Sequence, residues 1–133
     1  MSHAGSCLCG RVAFQVHGDF QKFFLCHCVH CRKDTGSSNA ANLFSTTAEI
    51  DWLRGQDLVS TFKLPDTLHR RSFCSNCGSA LPYWLKEINL VVVPAGSLDS
   101  AVPIRPQGHL FMASKANWDS ELDKVTCFER LPA

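Results

Sequence analysis

Cys26, Cys28 and Cys31 place three thiols within six residues, in the run Cys26-His27-Cys28-Val29-His30-Cys31. A segment this short can wrap one metal ion; it cannot satisfy three disulfides within itself. Two further pairs flank it, Cys7/Cys9 and Cys74/Cys77, and Cys127 stands alone. Thiolate clusters of this kind suit soft and borderline metals, and zinc is the ion expected. A structural zinc is closed by four Cys or His ligands, and a catalytic zinc keeps three protein ligands and an open position. The outer pairs sum to four, so Cys7, Cys9, Cys74 and Cys77 are expected to form a closed structural site. The triplet Cys26, Cys28 and Cys31 is left as an open, catalytic one, giving two zinc ions per chain. Other partitions compete. Cys28 and Cys31 with Cys74 and Cys77 would make a plain zinc ribbon, leaving three idle thiols. A histidine (His30, His69 or His109) closing the triplet would make both zincs structural and the chain a non-catalytic module that binds a protein or ligand.

Zinc on three thiolates carries a formal charge of −1, so it is a weaker Lewis acid than zinc on three histidines and less suited to making hydroxide. It suits a substrate thiol, which can displace bound water, lose its proton and stay nucleophilic. The expected chemistry is making or breaking a C–S bond at an electrophilic carbon such as a carbonyl. Proton transfer needs an acid or base nearby; His27, His30, His109 and Asp34 are the candidates. Arg32, Lys33, Arg70, Arg71 and Lys115 are candidate partners for carboxylates on the thiol. Cys127 is expected as a buried small hydrophobe. Trp52, Trp84 and Trp118 are expected in core or rim packing, Trp118 being the one placed in a polar loop.

The elements that must position these groups read as short strands. Residues 11–17 alternate, with Val12, Phe14 and Val16 on one face. Residues 20–25 form a second strand running into the triplet. Residues 32–39 read as a loop after at most one helical turn. Residues 40–46, 58–64, 68–73, 80–85 and 88–93 read as strands, 48–54 is ambiguous, and 109–113 is a candidate strand. Residues 97–108, holding Pro103 and Pro106, form an extended loop, and 121–128 is a last strand or a short helix. Gly78 follows the second thiol of its pair, where a metal-binding turn needs positive φ. No long segment shows a helical period, so the class is mostly β with few or short helices.

At 133 residues the chain is expected to be one domain, residues 1–133, large enough for a hydrophobic core. A net charge of +1 gives no electrostatic footprint for nucleic acid or an anionic membrane. Residues 1–6 lack the basic and apolar regions of a signal peptide, and no apolar run reaches membrane-helix length. A cytoplasmic location is expected, where eight cysteines call for metal rather than disulfides.

The chain resembles the glutathione-dependent formaldehyde-activating enzymes, the family with which the centromere protein V domain is grouped. The matching residues are Gly5-Ser6-Cys7-Leu8-Cys9-Gly10 with Val12 and Phe14; Cys26-His27-Cys28 to Cys31-Arg32-Lys33 followed by Gly36-Ser37; Phe73-Cys74 to Cys77-Gly78-Ser79; Ala95-Gly96-Ser97-Leu98-Asp99; and His109 to Trp118. The resemblance implies β-sheets packed around zinc, a β-tent. It implies a structural zinc on the outer pairs and a catalytic zinc on the triplet. It also implies a carbon–sulfur lyase activity, the reversible addition of the thiol glutathione to the aldehyde formaldehyde.

Overall fold

A computed structural model describes residues 1–132, and the fold it shows is mostly β with one α-helix. The strands are β1 (Ser2–Ser6), β2 (Ala13–His17), β3 (Lys22–Cys26), β4 (Ala40–Ser45), β5 (Glu49–Arg54), β6 (Val59–Lys63), β7 (Arg70–Cys74), β8 (Ala80–Leu81), β9 (Tyr83–Leu85), β10 (Leu90–Pro94) and β11 (Gly108–Leu110). The helix α1 spans Val29–Thr35, between β3 and β4. Three small sheets result: β1-β2-β5, β11-β3-β4-β10-β9 and β6-β7-β8. Neighbours are antiparallel except β11, which pairs with β3 in parallel and sets Leu110 opposite Cys26. No helix among the described residues is long and apolar enough to cross a membrane.

The alternation read in residues 11–17 is the heart of the core. Val12, Phe14 and Val16 are fully buried, with Leu43, Leu81 and Val93 packed into the same cluster. Burying side chains of this size stabilises by about 1.5–3 kcal/mol each. Phe14 meets Trp52 edge-on, their centroids 5.8 Å apart. β1 was not anticipated. Its Gly5 faces Phe14 in register, and a Cβ there would lie 2.2 Å from the Phe14 ring, so only glycine lets the two backbones approach.

Several expectations need correction. Residues 80–85 are two strands, because the buried Pro82 has no N–H to continue the ladder. The ambiguous 48–54 stretch is β5. Residues 32–35, expected as loop, continue α1. Residues 121–128 form neither strand nor helix but one 3-10 turn, Leu122–Lys124, and all are exposed. Cys127 lies in that stretch and is exposed, not buried, since no sheet passes near enough to cover it. Trp84 and Trp118 are each more than half exposed, whereas Trp52 packs against the core.

Candidate metal centres

The first thiol cluster joins two turns far apart in sequence. Cys7 follows β1, and its N–H donates to Val12 O (3.0 Å) while Gly10 N–H donates to Cys7 O (3.1 Å). Cys74 ends β7, and Gly78 N–H donates to its carbonyl at 2.7 Å. Gly10 and Gly78 both take positive φ, 80° and 78°, the left-handed conformation that closes each turn. Leu8 N–H donates to Ser79 Oγ at 2.8 Å and pins one turn to the other. The four sulfurs of Cys7, Cys9, Cys74 and Cys77 lie within 4.8 Å of one another. Cys7 and Cys9 sulfurs are 3.5 Å apart, and Cys9 and Cys74 sulfurs 3.9 Å. Zinc–sulfur bonds of about 2.3 Å at tetrahedral angles put sulfurs about 3.8 Å apart, so the donor set fits zinc.

The electrostatics of this cluster favour metal capture. The Ser79 hydroxyl, 3.3 Å from Sγ, and the Ser79 backbone N–H lower the Cys77 thiol to about 5. Asn76 and the backbone N–H of Arg11 lower Cys9. Burial raises Cys74, whose side chain has no exposure. Cys77 is thus ready as a thiolate, Cys9 is shifted the same way, and a cation can deprotonate the buried Cys74 outright.

The second cluster is built by a strand end and a helix start. Cys26 closes β3, and Cys28 is the N-cap of α1, its extended backbone (φ −65°, ψ 160°) letting Sγ accept Cys31 N–H at 3.3 Å. Cys31 follows in the first turn and is buried. Gly36 ends the helix in the left-handed conformation, its N–H donating to Arg32 O. The sulfurs of Cys26, Cys28 and Cys31 lie within 4.8 Å of one another. Burial, then the neighbouring Cys26 and Cys28 sulfurs, push the Cys31 thiol far up. Burial also raises Cys26. At Cys28 burial is outweighed by the N–H of Cys31 and other hydrogen bonds, and the thiol is lowered. Three sulfurs this close cannot all ionise alone; a divalent cation removes that penalty, so the donor set fits one metal with three protein ligands.

A cavity of about 230 Å³ opens beside this triplet, lined by Cys26, Cys31, Asp34, His69, Arg70 and Tyr83, among others. Asp34 Oδ2 lies 2.6 Å from His69 Nε2, and its Oδ1 lies 3.9 Å from Arg71 Nη1. Arg70 pairs with Glu87 at 2.9 Å, leaving its buried Nε without a partner. Burial and then the Asp34 carboxyl push Tyr83 up to about 12, so it stays a neutral phenol. A larger cleft of about 720 Å³, with Trp52 and Trp84 in its wall, shares Arg70, Ser72 and Tyr83 with this cavity.

The remaining expected residues sit elsewhere. His27 is buried, its Nε2 2.9 Å from His109 Nδ1. Its Nδ1 lies 3.0 Å from Asp119 Oδ2, but off the N–H direction, so neither atom has a true hydrogen bond. His30 is exposed and tilts over His69, ring centroids 5.4 Å apart. The cavity wall carries His69, and His27, His30 and His109 stand outside it. Of the five basic candidates, Arg70 and Arg71 reach the cavity, while Arg32 and Lys33 line a separate small groove with Trp118. The Asp34–His69 pair was not legible as a unit, because its members are 35 residues apart.

A search among curated proteins finds none that matches. Among solved structures, the crystal structure of a Rhodobacter sphaeroides protein, a structural-genomics target, is similar to this fold. Its TM-score is 0.56 at 19% identity, over 80% of this chain and 98% of that one. At that identity the likeness is one of fold. The family model described as "Glutathione-dependent formaldehyde-activating enzyme" matches residues 2–114, a span that takes in both thiol clusters and the cavity beside the triplet. By that match the chain belongs to the glutathione-dependent formaldehyde-activating enzyme family.

Proposed function

We propose that this single domain is a zinc-dependent carbon–sulfur lyase. It would add a thiol, glutathione or a close relative, reversibly to a small aldehyde such as formaldehyde. The observation that carries the reading is the division of the thiols. Four converge within 4.8 Å in a set of their own, and three converge beside a cavity lined with acid, base and cationic side chains. Cys7, Cys9, Cys74 and Cys77 would hold a structural zinc, and Cys26, Cys28 and Cys31 the catalytic one. A zinc held there would supply an electrophilic centre that favours the ionised form of a substrate thiol. The chain's own residues do the rest. Arg70 and Arg71 give the cavity positive charge to meet carboxylates on the thiol substrate. Tyr83, held as a neutral phenol, can donate a hydrogen bond to an aldehyde oxygen as charge develops on it. The reaction balances without a further reactant: a thiol R–SH adds across the carbonyl of formaldehyde to give the S-hydroxymethyl adduct, with the S–H bond and the C=O π bond broken and one C–S and one O–H bond formed. Seven cysteines grouped as metal-ligand clusters rather than disulfide pairs fit a reducing, cytoplasmic location.

The test is exchange NMR of formaldehyde with glutathione, with and without the protein, alongside metal analysis of protein purified without chelator. Two zinc ions per chain and an enhanced exchange rate are expected. Two zinc ions with no enhancement for glutathione or any other thiol would favour the alternative, a non-catalytic module with both zincs structural.

A further inference from the structure

The cavity beside the triplet holds one acid–base pair, and we infer that His69 is the general base and acid of the thiol–aldehyde reaction, with Asp34 as its positioning residue. This rests on the proposed reaction. The geometry is specific about which nitrogen acts. Asp34 Oδ2 lies 2.6 Å from His69 Nε2, in line with the ring N–H. A carboxylate there accepts Nε2–H, so the neutral ring keeps its proton on Nε2 and its lone pair on Nδ1. Nδ1 is the free nitrogen, as a base requires.

The surroundings hold the pair in place without closing it off. Asp34 and His69 keep about a fifth of their side-chain surface exposed, 22% and 21%, so substrate can reach the ring. Asp34 sits on α1 one turn past Cys31, and His69 is the last loop residue before β7, so the pair joins the helix to the start of that strand. Thr67 Oγ1 accepts His69 N–H at 3.0 Å and fixes the backbone just before that strand. The charged and titratable groups around the pair are Arg71 at 3.9 Å from Asp34, His30 beside His69, and Cys26, Cys31, Arg70 and Tyr83 in the lining of the same cavity. By contrast, His27 has Nε2 engaged by His109 and Nδ1 set against Asp119.

The step balances within the site. His69 Nδ1 takes the proton as the S–H bond breaks, the sulfur forms a C–S bond to the aldehyde carbon, and the carbonyl oxygen takes the proton back from Nδ1. In the reverse direction the same ring removes the hydroxyl proton and returns it to sulfur. Asp34 keeps its charge throughout and steadies the imidazolium that forms between the two transfers.

The experiment compares wild type, His69→Ala, His69→Gln and Asp34→Asn by exchange NMR of formaldehyde with glutathione, with folding checked by circular dichroism and zinc counted in each. A positioned acid–base group contributes about 100-fold or more. His69→Ala and His69→Gln are expected to lose at least that in kcat/KM with both zinc ions retained. Added imidazole should restore part of the rate to His69→Ala and none to wild type, which controls for imidazole binding the metal. Asp34→Asn should lower kcat and leave KM near wild type. A readout independent of turnover is the ring 15N shifts of His69: Nε2 protonated and Nδ1 bare in wild type, with the two tautomers mixed in Asp34→Asn. Wild-type rates in His69→Ala, or a protonated Nδ1 in neutral His69, would overturn the assignment. A silent wild type would sink the proposed reaction and the assignment with it, whereas an active wild type matched by an active His69→Ala would sink the assignment alone.

Discussion

Cys74→Ser and Cys28→Ser remove one thiol each, yet they should have opposite consequences for the fold. The four-thiol site brings together residues 65 apart in sequence, Cys9 and Cys74. Only the native chain places those thiols together, so metal bound there stabilises the folded state alone. Treated as a cross-link, closing a loop of that length removes about 4 kcal/mol of denatured-state entropy. For a domain of this size that is a fall in Tm of about 10–20 °C, against a total stability of about 5–15 kcal/mol. The triplet spans only residues 26–31, and an unfolded chain can wrap the same three thiols around an ion, which cancels much of the stabilisation. Serine is also a preferred N-cap, so the hydroxyl introduced by Cys28→Ser would still accept the Cys31 N–H and α1 would keep its start. Cys28→Ser should therefore cost less than about 1 kcal/mol while abolishing thiol–aldehyde exchange. Thermal denaturation followed by circular dichroism, with zinc counted before and after, reads both effects. Equal losses of Tm in the two variants would refute the division into a folding site and a working site.

Gly5→Ala should lower Tm by about 5–10 °C, because the new methyl would lie 2.2 Å from the Phe14 ring and 2.6 Å from Ser97 O, and a fully buried ring has nowhere to move. A variant within about 2 °C of wild type would mean that β1 and β2 part more readily than the packing implies. Deleting residues 121–133 should leave Tm within about 3 °C and the exchange rate unchanged, since every described residue from Glu121 on is exposed. A large fall in Tm would show that Leu122, Val125 or Phe128 is covered in solution.

What the sequence announces here is whatever repeats locally. The Val12, Phe14 and Val16 alternation declares a strand because each buried side chain sits two residues from the next. The thiol clusters declare themselves because metal ligands on a tight turn must be close in sequence, and their partition into four and three is matched by where the sulfurs converge. The helix was hidden for the same reason in reverse. Seven residues hold too few turns for a visible apolar period, and the cap is a cysteine, outside the usual Ser, Thr, Asp and Asn. β1 was hidden because Ser2–Ser6 is built of small and polar residues, and its strand character comes from pairing with β2. Asp34 and His69 meet only through tertiary folding, and each alone looks like an ordinary surface residue. Residues 121–128 misled because their apolar side chains imply burial, and no sheet face is left to receive them.

One strand ties the two centres together. β7 begins next to His69, carries Arg70 and Ser72 along the cavity wall, and ends in Cys74. In a strand a slip of one residue turns every side chain to the opposite face, so the register of β7 decides that Arg71, rather than Arg70, lies beside Asp34. That register is held at its far end. Cys74 N–H donates to Ser79 O at 3.0 Å, Ser75 N–H to Leu58 O at 2.8 Å, and Ser72 and Thr61 hydroxyls meet at 2.8 Å across the β6–β7 pair. A metal on Cys74 and Cys77 would lock the same end to the N-terminal turn. A closed metal site there would therefore set the alignment of a strand in the cavity wall, in addition to stabilising the fold. The triplet on β3 and α1 shares the cavity with that wall, so a shift of β7 would move His69 and Arg71 away from Asp34.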